Sequence, residues 1–215
     1  MSDRVCPLCG QWDAAFFCAD KRRQYFRCSR CELVFADRAT LLSAEEELAQ
    51  YKLHQNNLAD EGYRRFLQRL ASPLLASLPA KPLKGLDFGC GPGPLLALML
   101  AEAGHQMSVW DPFFANERSV LKQQYDFISC SEAIEHFVRP ADEWAQWLSL
   151  LAPKGILAIM TKRYSSQEAF QQWHYKNDPT HVSFFSANTF VYLAQRDGFN
   201  VEFPADDVVI LQRKH

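Results

Sequence analysis

A glycine-rich turn follows a short apolar strand near the middle of the chain. Leu86-Asp-Phe is predicted to be the strand, and Gly89, Gly91 and Gly93 come directly after it. Leu95–Ala103 is the predicted helix that follows. Glycines let the backbone turn tightly and approach a ligand where a Cβ would collide. This segment therefore predicts a ligand site at the carboxyl end of a strand in an α/β domain.

The residues around the turn indicate a ligand without phosphates. Pro94 stands where a dinucleotide fingerprint would have its last glycine, and no Lys-Ser/Thr pair follows as in a phosphate-binding loop. Asp87 would repel a phosphate but could bind a cationic amino group. Asp111 ends the next predicted strand, about twenty residues further on, where an acid can accept both hydroxyls of a ribose. S-adenosylmethionine (SAM) fits this set; the alternative is a structural glycine turn in an unrelated α/β domain.

Short apolar strands alternate with helices from Lys84 onward, which predicts a three-layer α/β sheet. The fully apolar strand Gly155–Met160 is typical of a central parallel strand. Further strands are predicted at Met107–Trp110 and Tyr125–Ser129, and near residues 200–203 and 208–211; further helices are predicted around Trp144–Leu151 and at Ser186–Arg196.

These blocks resemble, in their order, the class I SAM-dependent methyltransferases over about residues 44–212. The resemblance rests on Leu86-Asp-Phe-Gly-Cys-Gly-Pro-Gly, Trp110-Asp-Pro-Phe, Tyr125-Asp-Phe-Ile-Ser-Cys-Ser-Glu-Ala-Ile-Glu-His-Phe and Leu150-Leu-Ala-Pro-Lys-Gly-Ile-Leu. It implies a Rossmann-like three-layer sandwich with a seven-stranded mixed sheet whose last strand is antiparallel. It also implies that SAM binds over the carboxyl ends of the strands.

The resemblance implies a cofactor site as well. The glycine turn would line the methionine through its backbone, Asp111 would bind the ribose, and Ser131 and Glu132 would lie near the sulfonium. Thirteen residues separate Asp111 from Tyr125, so the usual third strand and its adenine-contacting acid look truncated. Phe113 and Phe114 are candidates for stacking on the adenine. The predicted cofactor-binding residues are Asp87, Gly89, Cys90, Gly91, Gly93, Asp111, Pro112, Phe113, Ser131 and Glu132.

Two Cys-x-x-Cys pairs near the N-terminus predict a zinc site of four thiolates. Cys6 and Cys9 are followed after eighteen residues by Cys28 and Cys31, the spacing of a structural zinc ribbon. Metal binding would stabilise a segment too small to build its own core. The alternatives are iron in the same site, or four cysteines without metal.

Methyl transfer needs an aligned acceptor and often a base, and histidine is suited to that near neutral pH. His136 follows the strand Tyr125–Ser129, and His181 lies in an aromatic segment after Gly155–Met160. Asp178 could orient His181 as the base. The alternatives are that His136 only stabilises its loop and that His181 caps the next helix. His54 lies in a helical segment that could cover the cofactor.

Three regions are predicted: a zinc-ribbon module over residues 1–38, a helical cap over 43–80, and a SAM-binding domain over 81–215. The net charge is −2 and the pI about 6.3, which disfavours binding to nucleic acid. The chain has no export signal or membrane-spanning run, so we expect a cytoplasmic protein.

We predict a SAM-dependent methyltransferase acting on a small-molecule acceptor. One alternative is an RNA or protein methyltransferase that uses the zinc ribbon for docking. Another is a non-catalytic, cofactor-binding regulator.

Overall fold

The computed structural model describes residues 4–52 and 60–214. His54, and with it residues 53–59 of the predicted helical cap, lies outside the described residues. The elements are β1 (Ala15–Ala19), β2 (Gln24–Arg27), β3 (Val34–Ala36), α1 (Ala44–Tyr51), α2 (Glu61–Ser77), β4 (Lys84–Phe88), α3 (Leu95–Glu102), β5 (Gln106–Trp110), β6 (Tyr125–Ser131), α4 (Pro140–Leu150), β7 (Leu151–Met160), α5 (Gln167–Gln171), β8 (Ser183–Phe184), α6 (Ala187–Asp197), β9 (Phe199–Ala205) and β10 (Val208–Arg213).

Within the described residues a central mixed sheet has the strand order β5-β4-β6-β7-β10-β9. The pairs β4·β5, β4·β6 and β6·β7 are parallel, whereas β10 is antiparallel to both β7 and β9. The loops that follow β4, β5 and β6 therefore all lie at the same edge of the sheet, where α/β proteins bind their ligands.

Helices cover both faces of this sheet because its central strands are apolar on both sides. Ile156, Ala158 and Met160 pack with the apolar stripes of α2 and α3, and Leu157 and Ile159 pack with residues of α4 and α6. The alternation follows the two-residue repeat of a strand. The predicted three-layer α/β architecture is confirmed.

The prediction of a seven-stranded sheet is wrong: the sheet has six strands in the described residues. After Asp111 the chain makes an isolated bridge to Ala115 and a short 3₁₀ helix over Arg118–Lys122, and then enters β6. The thirteen residues between Asp111 and Tyr125 are too few for a further helix and strand. β5 is consequently an edge strand.

The N-terminal segment does not fold by itself in this structure. β1, β2 and β3 form an antiparallel sheet whose fourth strand is β8, from the segment after β7. Tyr25 and Val34 share an aromatic core with Phe170 and Phe184. The N-terminal strands are thus joined directly to the aromatic segment that carries His181.

Two capped helices precede the central sheet. Ser43 and Glu46 form a capping box at the start of α1, and the Asp60 side chain accepts hydrogen bonds from two backbone N–H groups at the start of α2. Leu67, Leu70 and Leu74 lie one helical turn apart and are buried. Every helix in the described ranges is too short or too polar to span a membrane.

Candidate active site

A cavity of about 690 Å³ lies at the carboxyl edge of β4, β5 and β6. Every residue that the sequence predicted for cofactor binding or catalysis lines it. The structure therefore brings together positions from four separate segments of the chain.

The glycine turn is constrained by its backbone. Gly89 and Gly91 have φ angles of +77° and +63°, which residues with a Cβ rarely adopt. The N–H groups of Gly89 and Cys90 donate to the Trp110 carbonyl at 2.7 and 3.2 Å. A Cβ on Gly89 would lie 2.5 Å from the Ala133 Cβ. The turn therefore runs in direct contact with the loop that follows β6.

Asp111 binds the glycine turn to the segment after β5. Its carboxylate accepts hydrogen bonds from the backbone N–H groups of Gly91 at 3.0 Å, Phe113 at 2.9 Å and Phe114 at 3.1 Å. A carboxylate offers about four lone-pair positions, so acceptor capacity remains for a ligand hydroxyl. The same side chain therefore also organises the cavity wall.

Asp87 is a buried acid at the end of β4. Ser129 donates a hydrogen bond to its carboxylate at 2.8 Å. Burial raises the pKa of Asp87 to about 6, and the Ser129 hydrogen bond opposes that rise. A buried carboxylate prefers a cationic partner, because the cation stabilises its ionised form in place of the water that burial has removed. Cys90 is inert by comparison, since burial raises the pKa of its thiol well above the ordinary value.

Two glutamates face the cavity from the loop after β6. Burial, and then the charge of Glu135, raise the pKa of Glu132 to about 8. Glu132 has a φ angle of +48°, a strained backbone for a residue with a side chain. Its buried Oε1 has no hydrogen-bond partner among the described residues. Glu135 is fully buried and accepts hydrogen bonds from Thr161 and Tyr175.

His136 and His181 lie against each other, with ring centroids 4.7 Å apart. Nδ1 of His181 donates to the Tyr175 carbonyl at 2.7 Å, and Nδ1 of His136 donates to the Thr180 carbonyl at 3.2 Å. In its neutral form, each ring is therefore the tautomer with an unprotonated Nε2. Burial lowers the pKa of His181, which keeps it neutral near pH 7.

Asp178 lies next to His181 without a hydrogen bond to it. Its Oδ2 is 3.8 Å from His181 Nε2, beyond hydrogen-bond length, so the Tyr175 carbonyl orients the ring instead. Helix α6 begins at Ser186, which forms a capping box with Thr189. His181 is therefore not the cap of that helix.

Two contributors to the site were missed in the sequence. Arg23 of the N-terminal segment donates to the carbonyls of Lys176 at 2.5 Å, Asp178 at 2.8 Å, Pro179 at 3.1 Å and His181 at 2.8 Å. Glu135 lies within the sequence block that begins at Tyr125, but it is not among the predicted site residues. Local pattern gives no sign that Arg23 is buried, because its partners are all main-chain oxygens far away in sequence.

Helix α1 covers part of the cavity. The Tyr51 ring lies 5.6 Å from that of Phe113 and 5.3 Å from that of His136. Glu47, which accepts a hydrogen bond from the Tyr51 hydroxyl, also lines the cavity. The predicted stacking candidates Phe113 and Phe114 thus lie in the wall, with Phe113 packed under the helical segment.

The four predicted zinc cysteines form one cluster. Their sulfur atoms all lie within 4.8 Å of one another, with Cys6–Cys31 and Cys9–Cys28 distances of 3.5 Å. Zinc–sulfur bonds of about 2.3 Å in a tetrahedron place sulfurs about 3.8 Å apart. The backbone N–H groups of Arg30 and Cys31 point to Cys28 Sγ at 3.4 and 3.5 Å. The donor set and its spacing fit a structural zinc ion.

Comparison with known proteins places the chain in a family. A family model described as a methyltransferase domain matches residues 58–202. No curated protein matches the sequence. Among solved structures, magnesium protoporphyrin IX methyltransferase from Synechocystis PCC 6803, crystallised with bound S-adenosylhomocysteine (SAH), is 12% identical with a TM-score of 0.51; the match covers 80% of this chain and 95% of that one.

A second solved structure is 1,6-didemethyltoxoflavin-N1-methyltransferase from Burkholderia thailandensis, which is 16% identical with a TM-score of 0.47. The match covers 94% of this chain and 100% of that one. At such low identity these likenesses concern the fold. The likeness to the Synechocystis enzyme supports a Rossmann-like α/β fold.

The family model extends over more than half of the chain, including the glycine turn and both histidines. The chain belongs to the methyltransferase domain family.

Proposed function

We propose that this protein transfers a methyl group from SAM to a small-molecule acceptor. Family membership supports methyl transfer, and the observation that carries the choice of donor is the pairing of a glycine turn with two buried acids. Bound SAM supplies a methyl group on a sulfonium; the acceptor attacks the methyl carbon, and SAH is the leaving group. The chain's own residues have to bind the donor, place the acceptor and exclude water.

The donor would lie along the glycine turn. Asp87 is buried at the strand end and suits the amino group of the methionine moiety, since a cation relieves the cost of its burial. Asp111 has acceptor capacity for the ribose, flanked by Pro112 and Phe113. Glu132 lines the cavity and has a buried oxygen without a hydrogen-bond partner among the described residues, so it suits the region of positive charge.

The acceptor would approach from the side of His136 and His181. In the neutral form each ring presents an unprotonated Nε2, so either can take a proton from a hydroxyl or amine as it becomes a nucleophile. The cavity volume of about 690 Å³ is in the ordinary range for small-molecule sites. The cover of α1 over Phe113 and His136 favours a small acceptor over a polymer.

We further propose that the cysteine cluster binds one zinc ion and that the chain divides as the sequence predicts. Residues 1–38 would then be a zinc-ribbon module, 43–80 a helical cap and 81–215 the donor-binding domain. The module's role would be to support the His181 segment, since β3 pairs with β8 and Arg23 binds four of that segment's carbonyls. Docking of a protein partner through the module is the alternative role.

Calorimetric titration with SAM and SAH tests the proposed donor. We expect saturable binding of both, and none of ATP or NAD. Asp111→Asn should weaken SAH binding, whereas Asp142→Asn, on the exposed side of α4, should not. Binding of ATP or NAD in place of SAM and SAH would overturn the proposal.

A further inference from the structure

Three side chains that can ligate a metal ion meet in the cavity, on the side from which the methyl acceptor would approach. One donor atom each of Glu135, His136 and His181 lies within 4.8 Å of the other two. Glu135 and His181 are buried and His136 is half-buried. Two imidazoles and one carboxylate with open positions are a donor set for divalent first-row transition metals.

The hydrogen bonds around the two histidines orient them as metal ligands. Each ring donates its Nδ1–H to a main-chain carbonyl, Tyr175 for His181 and Thr180 for His136. Metal-binding histidines in proteins are held in this way, because the bond fixes the tautomer and leaves the other nitrogen with its lone pair. Neither Nε2 has a hydrogen-bond donor close to it in the described structure.

The carboxylate is held in a comparable way. Thr161 donates to Glu135 Oε2 at 2.9 Å, and the Tyr175 hydroxyl donates to Oε1. The backbone N–H of Val182 donates to the Glu135 carbonyl at 2.9 Å, which fixes the loop carrying Glu135 beside that carrying His181. The main-chain contacts therefore bring the three donors together.

The surroundings favour a cation. Glu132 is next to Glu135 in the cavity wall, and its buried Oε1 has no partner. Asp178 lies 3.8 Å from His181 Nε2. Ligand bonds of about 2.0–2.2 Å place donors roughly 3–4 Å apart. A pair of ligand atoms at the 4.8 Å limit would have to approach by about 1–2 Å, within reach of side-chain rotation.

We propose that Glu135, His136 and His181 form a binding site for one divalent transition-metal ion, distinct from the cysteine cluster. The proposal rests on the proposed methyl transfer and deepens it. A metal ion there keeps open coordination positions toward the cavity, so the acceptor class is a hydroxyl compound whose oxygen binds the ion. The histidines then serve as ligands instead of bases, and the ion lowers the pKa of the hydroxyl, whose proton passes to water. The oxygen attacks the methyl carbon of SAM, and SAH leaves.

Titration with Co²⁺ tests the site directly. The full-length protein is first loaded with zinc, so that the thiolates are occupied, and Co²⁺ is then added while heat and visible absorption are recorded. We expect one further site per chain with the weak visible bands of nitrogen and oxygen ligands, and without the intense thiolate-to-cobalt bands. His136→Ala and His181→Ala should each weaken this binding by at least about tenfold.

His174→Ala is the matched control. His174 lies in the same segment, is exposed and does not line the cavity, so its removal should leave cobalt binding unchanged. His136 is half-buried, which makes its variant the safer one if His181→Ala does not fold. SAH binding, measured on each sample, reports whether the cavity is intact.

Two results would overturn the metal site. One is the absence of saturable Co²⁺ binding up to millimolar concentration in protein that binds SAH. The other is wild-type cobalt affinity in both folded histidine variants. Cobalt binding in protein that binds neither SAM nor SAH would instead overturn the proposed donor and leave the metal site supported.

Discussion

At the scale of single residues, the site depends on acids that are withdrawn from water. Asp87, Glu132 and Glu135 converge on one cavity although ionised carboxylates are costly to bury. Ser129 and Tyr175 supply part of the missing hydration. The remaining cost is offset when a cation binds, which is how a cavity of this kind selects a positively charged ligand.

Asp87 gives a pH dependence with a defined sign. Its pKa of about 6 in the folded protein exceeds the value of about 3.9 of an exposed aspartate. Between these values the folded state binds more protons, so stability falls as pH rises from about 4 through 6, by at most about 3 kcal/mol. We expect Asp87→Asn to flatten this part of the stability curve, measured by urea unfolding at several pH values.

SAH binding should show the opposite trend in the same window. In the proposed binding mode the amino group of SAH contacts ionised Asp87, so affinity should increase as pH rises through about 6. Asp87→Asn should bind SAH more weakly and lose this dependence in calorimetric titrations. An Asp87→Asn variant with unchanged affinity and an unchanged pH profile would contradict the assigned role.

Gly89 can be tested against a matched glycine. Gly89→Ala adds a Cβ 2.5 Å from the Ala133 Cβ and strains a φ of +77°. Gly104→Ala strains a φ of +97° but meets open space. We expect both to cost about 1–2 kcal/mol in backbone strain, and only Gly89→Ala to lower SAH affinity by at least about tenfold. Equal SAH affinities in the two variants would show that the clash is absorbed elsewhere.

At the scale of elements, β8 and the residues before it join the two sheets. β8 has two residues and is attached to β3 by hydrogen bonds, while the preceding residues 176–181 surround the Arg23 guanidinium. Residues 178–181, which follow a short 3₁₀ helix and have no regular structure of their own, are thereby held in a defined conformation. The alternation of strands and helices from Lys84 onward could be predicted from their periodicity, but this attachment could not, because a two-residue strand has no period.

Arg23 is a positioning residue at this scale. Arg23→Ala should lower kcat by about tenfold or more, because a small displacement of His181 disrupts alignment, while SAH affinity stays within about twofold. Arg23→Lys should not restore kcat, since a lysine lacks the planar fork that binds several carbonyls at once. Steady-state kinetics with calorimetry separates the two effects.

Arg22→Ala is the neighbouring control. Arg22 is exposed and donates to the Asn177 carbonyl at 3.3 Å, so kcat should be unchanged. If Arg22→Ala and Arg23→Ala lower kcat equally, the effect belongs to charge on this surface rather than to the buried guanidinium.

At the scale of the whole molecule, the N-terminal strands and the central sheet form one structure. The core beneath β2 and β3 includes Tyr164, Phe170 and Phe184, which lie more than a hundred residues later in the sequence. The cysteine cluster packs in turn against the apolar face that contains Trp144. Loss of a metal at the cysteines should therefore disturb the structure of the active site as well as that of the N-terminal segment.

Zinc removal tests this coupling. We expect about one zinc per chain in purified protein, and Cys28→Ser should lose the zinc, lower the melting temperature and lower kcat. Cys18→Ala, which removes a buried cysteine outside the cluster, should keep the zinc content. A Cys28→Ser variant with wild-type zinc content and melting temperature would exclude the four-thiolate site.

The sequence by itself determined the α/β class, the positions of most strands, the glycine turn and the cysteine spacing, because these depend on periodicity and on short-range steric rules. It also contained the shortage of residues after Asp111, yet the resemblance led to a seventh strand that this stretch cannot form. Only the tertiary structure decided that Glu135, His136 and His181 meet, and that Arg23 supports them. Such contacts join residues far apart in the chain through hydrogen bonds to main-chain oxygens. Because every residue has such an oxygen, no side-chain pattern in the sequence indicates these contacts.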